Sequence, residues 1–322
     1  MLTPSGLTPK GNPMKTPKLL VVGSANMDLV AHAPHCVKAG ESLIGTSFQT
    51  ICGGKGANQA VAAARLGADT YFAGCVGADP FGEMQRQALA AAGVNVTHLK
   101  THPTQPTGTA MICVADTGQN AIVVVPAANY GFMPADIEAM GPLFDDADVI
   151  LLQLEIPLET VEAALDSARR HGAVSILDAG PAQPLAEDII RKADVVSPNE
   201  TEAEALTGIA VRGPDDAKQA AAKLLSLGAR EAVMKLGEHG ALYLGDTCFQ
   251  MPAFSVDPVD TTAAGDAFTA ALAVTWQAVS RSDALRFANA AGALATTVAG
   301  AQPSMPTRQA VDAFLNKKGV PH

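Results

Sequence analysis

From residue 149 onward, short apolar strands alternate with helical segments, and this alternation is the sequence feature that most constrains the fold. The segments Val149–Leu154, Val174–Asp178 and Val195–Ser197 are apolar or β-branched, whereas Leu158–His171 and Pro214–Leu227 have the composition of helices. Strands that are separated by helices pair in parallel, and the helices then cover both faces of the sheet. The alternation therefore predicts an α/β fold with a mostly parallel central sheet between two helical layers.

The remaining segments extend this pattern and add one exception. Further strands are predicted at Leu19–Gly23, Tyr71–Val76 and Ala232–Leu236, and further helices at Asn58–Leu66, Phe81–Ala92, Ala186–Ala193, Asn199–Leu206, Ala267–Gln277, Asp283–Ala299 and Thr307–Lys317. The polar segments Thr109–Val114 and Asn120–Val125 resemble a hairpin, because the turn-forming run Asp116–Gly118 separates them. Polar hairpins of this kind do not fit a buried parallel sheet, so they could form a small separate lid over it.

Composition limits the classes of partner. The 322 residues carry a formal net charge of −10, whereas nucleic acids and anionic membrane surfaces both require a basic face. We therefore expect neither nucleic acid nor membrane as a partner, and we expect any phosphate site to be made locally. Residues 1–18 are rich in Pro, Gly and Thr and contain no apolar run of signal-peptide length, which predicts a disordered extension on a cytoplasmic protein.

The segment Asp260–Asp266 places two carboxylates around small residues and leads directly into a strongly helical run. The first turn of a helix leaves N–H groups unpaired, and the helix dipole adds positive potential there, so the segment predicts an anion site. A carboxylate beside an anion site is repelled by the anion that it faces, which makes a purely structural role for Asp266 hard to defend. A general base next to a transferring phosphoryl group would need this arrangement.

Two polar segments are candidates for holding a small polar ligand. Residues 53–60 form a glycine-rich run that contains Lys55 and Asn58 and leads into a helix, without the spacing of a Walker loop. Such a run is more often structural, although Lys55 and Asn58 favour a ligand such as a sugar. Asn26 and Asp28 follow the first predicted strand, where open α/β sheets bind ligands. Stabilisation of a turn by Asp28 is an equally good explanation of that residue alone.

Two further carboxylates follow predicted strands. Glu155 closes the strand that ends near Leu154, which puts it at the same edge of the sheet. Asn199 and Glu202 begin a helix, and capping with favourable dipole interactions accounts for both residues completely. A carboxylate in this position could equally orient waters around Mg²⁺.

Taken together, these motifs resemble those of the ribokinase family of sugar kinases, also called the phosphofructokinase-B family. The resemblance runs in order from about Leu19 to Leu315, and the segment Gly300–Ser304 belongs to it. It implies a ribokinase-like domain over residues 19–317 with a lid formed by about 28–52 and 106–125, ATP-dependent transfer to the 5-hydroxyl of ribose with Mg²⁺, activation by K⁺ or a similar monovalent cation, and a homodimer formed through the lids.

The resemblance also implies roles for individual residues. The positions that match sugar-binding residues are Asn26, Asp28, Gly54, Lys55, Asn58 and Glu155, with Asp266 as the catalytic base and the backbone of Ala263, Ala264, Gly265 and Asp266 as the anion hole. The positions that match nucleotide-contacting residues are Asn199, Lys235, Leu236, Gly237, Glu238, His239, Gly240, Gly265 and Asn289. Glu202 matches the glutamate that organises Mg²⁺ through water, and the implied monovalent-cation site comprises Asp260, Thr262, Ala295, Val298, Gly300 and Ser304.

Two positions depart from the family pattern, and two alternative functions stay open. Lys235 stands where a threonine is frequent and Asn289 where a histidine is common, and both lie on the nucleotide side. Lys235 could place a cation near the phosphates or point into solvent. The first alternative function is a related kinase for deoxyribose, fructose or a nucleoside. The second is a catalytically silent regulator that binds a sugar, although such a protein would not need Asp266 and its anion site.

Overall fold

The computed structural model describes residues 16–318, and within them nine strands form a large sheet and four form a smaller one. The strands are β1 Lys18–Val22, β2 Asn26–Ala33, β3 Ser47–Gly53, β4 Asp69–Gly77, β5 Asn95–His102, β6 Gly108–Ala115, β7 Asn120–Val125, β8 Val149–Leu152, β9 Val174–Asp178, β10 Val195–Ser197, β11 Glu231–Lys235, β12 Ala241–Leu244 and β13 Cys248–Met251. The helices are α1 Lys55–Arg65, α2 Pro80–Ala91, α3 Pro134–Glu138, α4 Gly141–Asp146, α5 Leu158–His171, α6 Glu187–Lys192, α7 Glu200–Thr207, α8 Pro214–Ser226, α9 Ala264–Thr275, α10 Arg281–Ala295, α11 Ala301–Ser304 and α12 Arg308–Lys318.

The large sheet has the order β13-β12-β11-β10-β9-β8-β1-β4-β5, and it is parallel except for the antiparallel pairs that β12 makes with β11 and β13. Each face of the sheet supports its own hydrophobic core. Leu19 and Val21 of β1 point into one core, and Leu20 and Val22 point into the other. Both faces are therefore buried, as a parallel sheet between two helical layers requires. The predicted fold class is confirmed.

The smaller sheet has the order β3-β2-β6-β7, with β2 and β6 parallel and the two outer pairs antiparallel. The predicted hairpin of β6 and β7 is confirmed. Asn26 and Asp28 follow the first strand as predicted, and both belong to β2, a strand that the sequence analysis did not predict. The residues that begin the small sheet are thus also residues of the candidate site.

Three further differences concern boundaries and one edge strand. Helix α9 begins at Ala264 rather than Ala267, so Asp266 lies in its first turn. Helix α1 begins at Lys55 rather than Asn58, so Lys55 lies on the helix and not in the preceding loop. Strand β5 was not predicted, because its polar residues at the sheet edge show no alternation. Strand β1 begins at Lys18, and the rest of the predicted extension, residues 1–15, lies outside the described residues together with 319–322.

Small residues allow helices α1 and α9 to approach closely. The two helices pack against each other, and their buried residues include Ala60, Ala63, Ala267, Ala270 and Ala271. Alanine side chains permit a short interaxial distance, so polar side chains at the start of both helices can reach one another. Between residues 16 and 318, no helix is long and apolar enough to cross a lipid bilayer.

Candidate active site

Asp266 is at the centre of the candidate site. Its side chain is only 5% exposed, in the first turn of α9. The Oδ2 atom accepts a hydrogen bond from Asn58 Nδ2 at 2.9 Å, Oδ1 accepts one from Gln59 Nε2 at 3.0 Å, and Lys55 Nζ lies 4.0 Å from Oδ1. Burial raises the pKa of Asp266 to about 6, the Lys55 ammonium opposes that rise, and the nearby Asp178 adds to it. A carboxylate in this state can accept a proton near neutral pH.

The start of α9 also presents unpaired backbone donors. Its N-cap, Ala263, supplies no side-chain cap, and Ala264 donates to the Thr261 carbonyl at 3.3 Å. Among residues 16–318, no acceptor pairs with the N–H groups of Gly265 and Asp266. These groups and the helix dipole favour an anion at the helix start.

Glycine residues bring α1 close to β2. Gly54 has φ 90°, and a Cβ there would lie 2.6 Å from the backbone nitrogen of Asn26. Only glycine accommodates both the left-handed backbone and this close approach. Helix α1 then begins at Lys55 and directs Lys55, Asn58 and Gln59 toward Asp266, since residues three and four positions apart share one helix face.

The predicted sugar-binding side chains form one buried group. Glu155 Oε2 accepts from Asn26 Nδ2 at 3.3 Å and from the backbone nitrogen of Lys55 at 3.1 Å. Burial and the negative charges of Glu155 and Asp266 together raise the pKa of Asp28 to about 7. Lys55 contacts Glu155 through its backbone nitrogen and Asp266 through its ammonium, so the three carboxylates face a common space. Asn58 Oδ1 is buried there and has no partner within the described chain.

A second buried charge cluster lies beside the first. Lys235, the last residue of β11, donates from Nζ to Asp178 Oδ1 at 2.5 Å, and the same Nζ lies 3.5 Å from Glu202 Oε2. Burial lowers the pKa of Lys235, but the negative charges of Asp178 and Glu202 outweigh that effect and the net change is upward. Lys235 is therefore a buried cation and does not point into solvent. A Cβ on Gly265 would lie 3.9 Å from its Nζ, which puts the ammonium near the start of α9.

Glu202 caps its own helix and faces the site. Asn199 Oδ1 accepts from the Glu202 nitrogen, and Glu202 Oε2 accepts from the Asn199 nitrogen, both at 2.8 Å, so the capping interpretation is correct. Within residues 16–318, no cluster of three or more His, Cys, Asp or Glu residues could hold a metal directly. Magnesium in phosphoryl-transfer sites keeps several waters and uses one or two carboxylates with substrate phosphates. Glu202 fits contact through water and not a dedicated protein cage.

Asp260 joins two loops near the start of α9. Its Oδ1 accepts from the Thr262 nitrogen at 2.9 Å and from Thr262 Oγ1 at 2.5 Å, and its Oδ2 accepts from the Gly300 nitrogen at 2.9 Å. These hydrogen bonds lower the pKa of Asp260 although its partial burial acts in the opposite direction. Ser304 Oγ donates to the carbonyl of Ala301, and the backbone nitrogen of Val298 donates to the carbonyl of Ala295. The residues implied for a monovalent cation thus lie in two segments, one before α9 and one from the end of α10 to the end of α11, and Asp260 links the two.

Four of the predicted nucleotide-contacting residues, Leu236, Gly237, Glu238 and His239, line a more open region. Residues Gly237–His239 form a single 3₁₀ turn between β11 and β12. Beside it lies a cavity of about 190 Å³, lined by Glu200, Val211, Arg212, Gly213, Leu236, Gly237, Glu238 and His239. Asn289 of α10 donates to the carbonyls of Met251 and Pro252 at 3.1 and 3.0 Å, which occupies its amide donors.

Sequence reasoning missed several polar residues of the site. Asp178 is fully buried, and Gln59 and Asn129 are too. Asp178 is the final residue of a predicted strand, so its position at the ligand-facing edge was available as a signal. Gln59 and Asn129 carry no local signal, because their partners, Asp266 and Asn26, are distant in sequence.

Comparison with known proteins identifies the class of enzyme that this fold and site define. The model of the pfkB family carbohydrate kinases matches residues 16–308. The chain belongs to this family and is an ATP-dependent sugar kinase.

Individual relatives cover nearly the whole chain. Ribokinase of Bacillus subtilis (strain 168) is 40% identical over 300 residues, which are 92% of this chain and 99% of that protein. Deoxyribokinase of Salmonella typhimurium (strain LT2) is 35% identical over 301 residues, 92% of this chain and 98% of that protein. The solved structure of Arabidopsis thaliana ribokinase complexed with ribose and ATP has a TM-score of 0.86 and 36% identity, covering 93% of this chain and 99% of that one.

Proposed function

We propose that this kinase transfers the γ-phosphoryl group of ATP to the 5-hydroxyl of D-ribose, giving D-ribose 5-phosphate and ADP. The observation that carries the proposal is the position of Asp266, a buried carboxylate with a raised pKa at a helix start with unpaired N–H groups. The ribokinases among the relatives support ribose as the acceptor, and the structure of the Arabidopsis enzyme contains ribose and ATP.

Asp266 acts as the general base in the proposed mechanism. Its carboxylate accepts the proton of the 5-hydroxyl while that oxygen forms a bond to the γ-phosphorus and the bond to ADP breaks. The backbone of residues 263–266 and the dipole of α9 stabilise the charge that spreads over the transferring group. Phosphoryl transfer depends on positioning and electrostatics, which this rigid helix start supplies.

The sugar is held by side chains from β2, α1 and the segment after β8. Asn26 and Asp28 pair with vicinal hydroxyls, while Gly54 allows the sugar to approach the backbone. Asn58 Oδ1 is a buried acceptor without a protein partner, and a sugar hydroxyl would satisfy it. Glu155 fixes Asn26 and the start of α1 through its own hydrogen bonds, and Lys55 supplies charge beside Asp266.

The nucleotide binds on the side of α7, β11 and α10. Lys235 faces the phosphates, with Asn199, the turn from Leu236 to Gly240, Gly265 and Asn289 as further contacts. Glu202 would orient the waters of Mg²⁺, which would neutralise charge on the phosphates. The two segments that Asp260 links would hold a monovalent cation such as K⁺, which would fix the shape of the anion site without entering the chemistry.

The small sheet acts as a lid and as a dimer interface in this proposal. The lid comprises about residues 28–52 and 106–125, and its closure excludes water and suppresses ATP hydrolysis. Exposed apolar side chains on this sheet, among them Met111 and the run Ile122–Val125, favour pairing with a second copy, since monomers rarely expose such a patch. We further propose that the kinase domain spans 19–317 and that the protein works in the cytoplasm.

A coupled ADP-release assay tests the function. With ribose and Mg-ATP we expect ribose-dependent ADP release that is faster with K⁺ than without it. A faster rate with fructose or a nucleoside than with ribose would reassign the acceptor. ATP consumption that responds to none of these sugars would support the silent sugar-binding regulator instead.

Deoxyribose is the second candidate acceptor. The similarity to a deoxyribokinase favours it, because that relative covers the chain as completely as the ribokinases do. The pairing of Asn26 and Asp28 argues for ribose, since two adjacent polar side chains suit two adjacent hydroxyls.

A further inference from the structure

Gln59 is the most completely buried polar side chain in contact with Asp266. It lies on α1 with no exposed surface, one residue beyond Asn58. Its Nε2 donates to Asp266 Oδ1 at 3.0 Å and also to Asp178 Oδ2 at 2.6 Å. A single amide therefore uses both of its N–H bonds on two carboxylates from distant segments of the chain.

A second glutamine fixes the orientation of that amide. Gln153, directly after β8, donates from Nε2 to Gln59 Oε1 at 2.5 Å. An amide oxygen that accepts from Gln153 forces the nitrogen of Gln59 to face the carboxylates. The four side chains Gln153, Gln59, Asp178 and Asp266 form a buried network, because each has 5% of its surface or less exposed.

The network connects the sugar side to the nucleotide side. Asp178 receives Gln59 on Oδ2 and Lys235 on Oδ1, so one carboxylate joins the base to the buried cation. The charged groups that face Asp266 are Lys55 of α1 and Asp178 of β9, with Asp28 of β2 across the common space. Removal of Gln59 would leave Asp178 and Asp266 without a shared donor, and each would be free to adopt other rotamers.

We propose that Gln59, oriented by Gln153, is a positioning residue that holds the carboxylates of Asp266 and Asp178 in fixed orientation for phosphoryl transfer. The inference rests on the proposed function, because it assigns a partner to the proposed base. Gln59 has no role in binding the sugar directly. Its effect falls on turnover and on the protonation of Asp266.

The test compares kcat, the KM for ribose and the pH profile of wild type and Gln59→Leu. We expect kcat to fall about tenfold while the KM for ribose stays within about threefold. A hydrogen bond donated to a carboxylate favours its charged form, so its loss raises the pKa of Asp266. The acidic limb of the kcat profile should therefore move up by about 0.5–1 pH unit.

Two more variants keep the test sharp. Gln153→Leu removes no direct contact with either carboxylate, and we expect the acidic limb of its kcat profile to move in the same direction by a smaller amount. This variant tests the proposal if Gln59→Leu fails to fold. Thr275→Val removes a buried hydrogen bond at the far end of α9, and we expect it to lower thermal stability without moving the pH profile.

The outcomes separate this proposal from the proposed function. An unchanged kcat and pH profile in both glutamine variants would overturn the positioning role of Gln59. If kcat of Asp266→Asn nevertheless falls by at least about 10²-fold, the role of Asp266 as the base still holds. A near-normal rate in Asp266→Asn would overturn the base and the positioning role together.

Discussion

The two halves of the site are built in different ways. On the sugar side, Asn26, Asp28, Asn58 and Asp266 are nearly fully buried, and three of them, Asn26, Asn58 and Asp266, form hydrogen bonds with side chains distant in sequence. On the nucleotide side, one short turn, Gly237–His239, borders an open cavity of about 190 Å³. The sugar side is thus held together by buried side-chain hydrogen bonds, whereas the nucleotide side relies on backbone groups and one buried cation.

This difference indicates where substitutions matter most. A buried polar group that loses its partner costs more than an exposed one, since water cannot replace the lost hydrogen bond. Substitutions on the sugar side should therefore have large effects on turnover or acceptor binding. On the nucleotide side, Lys235 and Asn289 have comparable burial.

The largest effect is expected for Asp266→Asn. The amide cannot accept the hydroxyl proton, so kcat should fall by at least about 10²-fold while ribose binding remains largely intact. Turnover by ADP release and ribose affinity by calorimetry measure the two quantities. A variant with a near-normal rate would remove Asp266 from the role of base.

Asp28→Ala should come next, through the KM for ribose. The variant removes a buried acceptor for sugar hydroxyls, so the KM should rise about 30-fold with a smaller change in kcat. Initial rates over a range of ribose concentrations give both values. A KM for ribose like that of the wild type would show that Asp28 only stabilises β2.

The pH dependence follows from the raised pKa of Asp266. The carboxylate is the form that accepts a proton, so activity is present above a pKa of about 6 and is lost as the pH falls through it. Below that pH, kcat/KM for ribose should fall about tenfold per unit. The profile requires saturating Mg-ATP at every pH, and a flat profile between pH 5 and 7 would contradict the assignment.

The effect of Lys235→Met should fall on the nucleotide side. Loss of the ammonium removes the cation that pairs with Asp178 and Glu202, and the two carboxylates then repel the phosphates of ATP. The KM for ATP should therefore rise about tenfold, while the KM for ribose changes by less than about threefold. Asn289→Ala removes a proposed nucleotide contact of weaker kind, because its amide donors already bind Met251 and Pro252, and it should raise the KM for ATP by at most about threefold. Equal effects of the two variants would remove Lys235 from the phosphates.

Local sequence patterns predicted those parts of the fold that depend on local residues. Helix α5 and strands β9 and β10 have the predicted bounds, because apolar periodicity and the glycine at the end of α5 fix them. The start of α9 was misplaced by three residues, because Gly265 and Asp266 have low helix propensity. The network of Gln59, Gln153, Asp178 and Asp266 was not predicted, because its contacts join residues that are 94 to 207 positions apart in the chain.

The ratio of kcat/KM for ribose to that for 2-deoxyribose tests the central claim most directly. A sugar that lacks the 2-hydroxyl would leave a polar group of the buried pair Asn26 and Asp28 without a hydrogen-bond partner. Such a mismatch is costly in a site built for hydrogen bonds. The account predicts that ribose is preferred at least about tenfold, with phosphate on its 5-oxygen. A ratio near one, or a preference for 2-deoxyribose, would contradict the account.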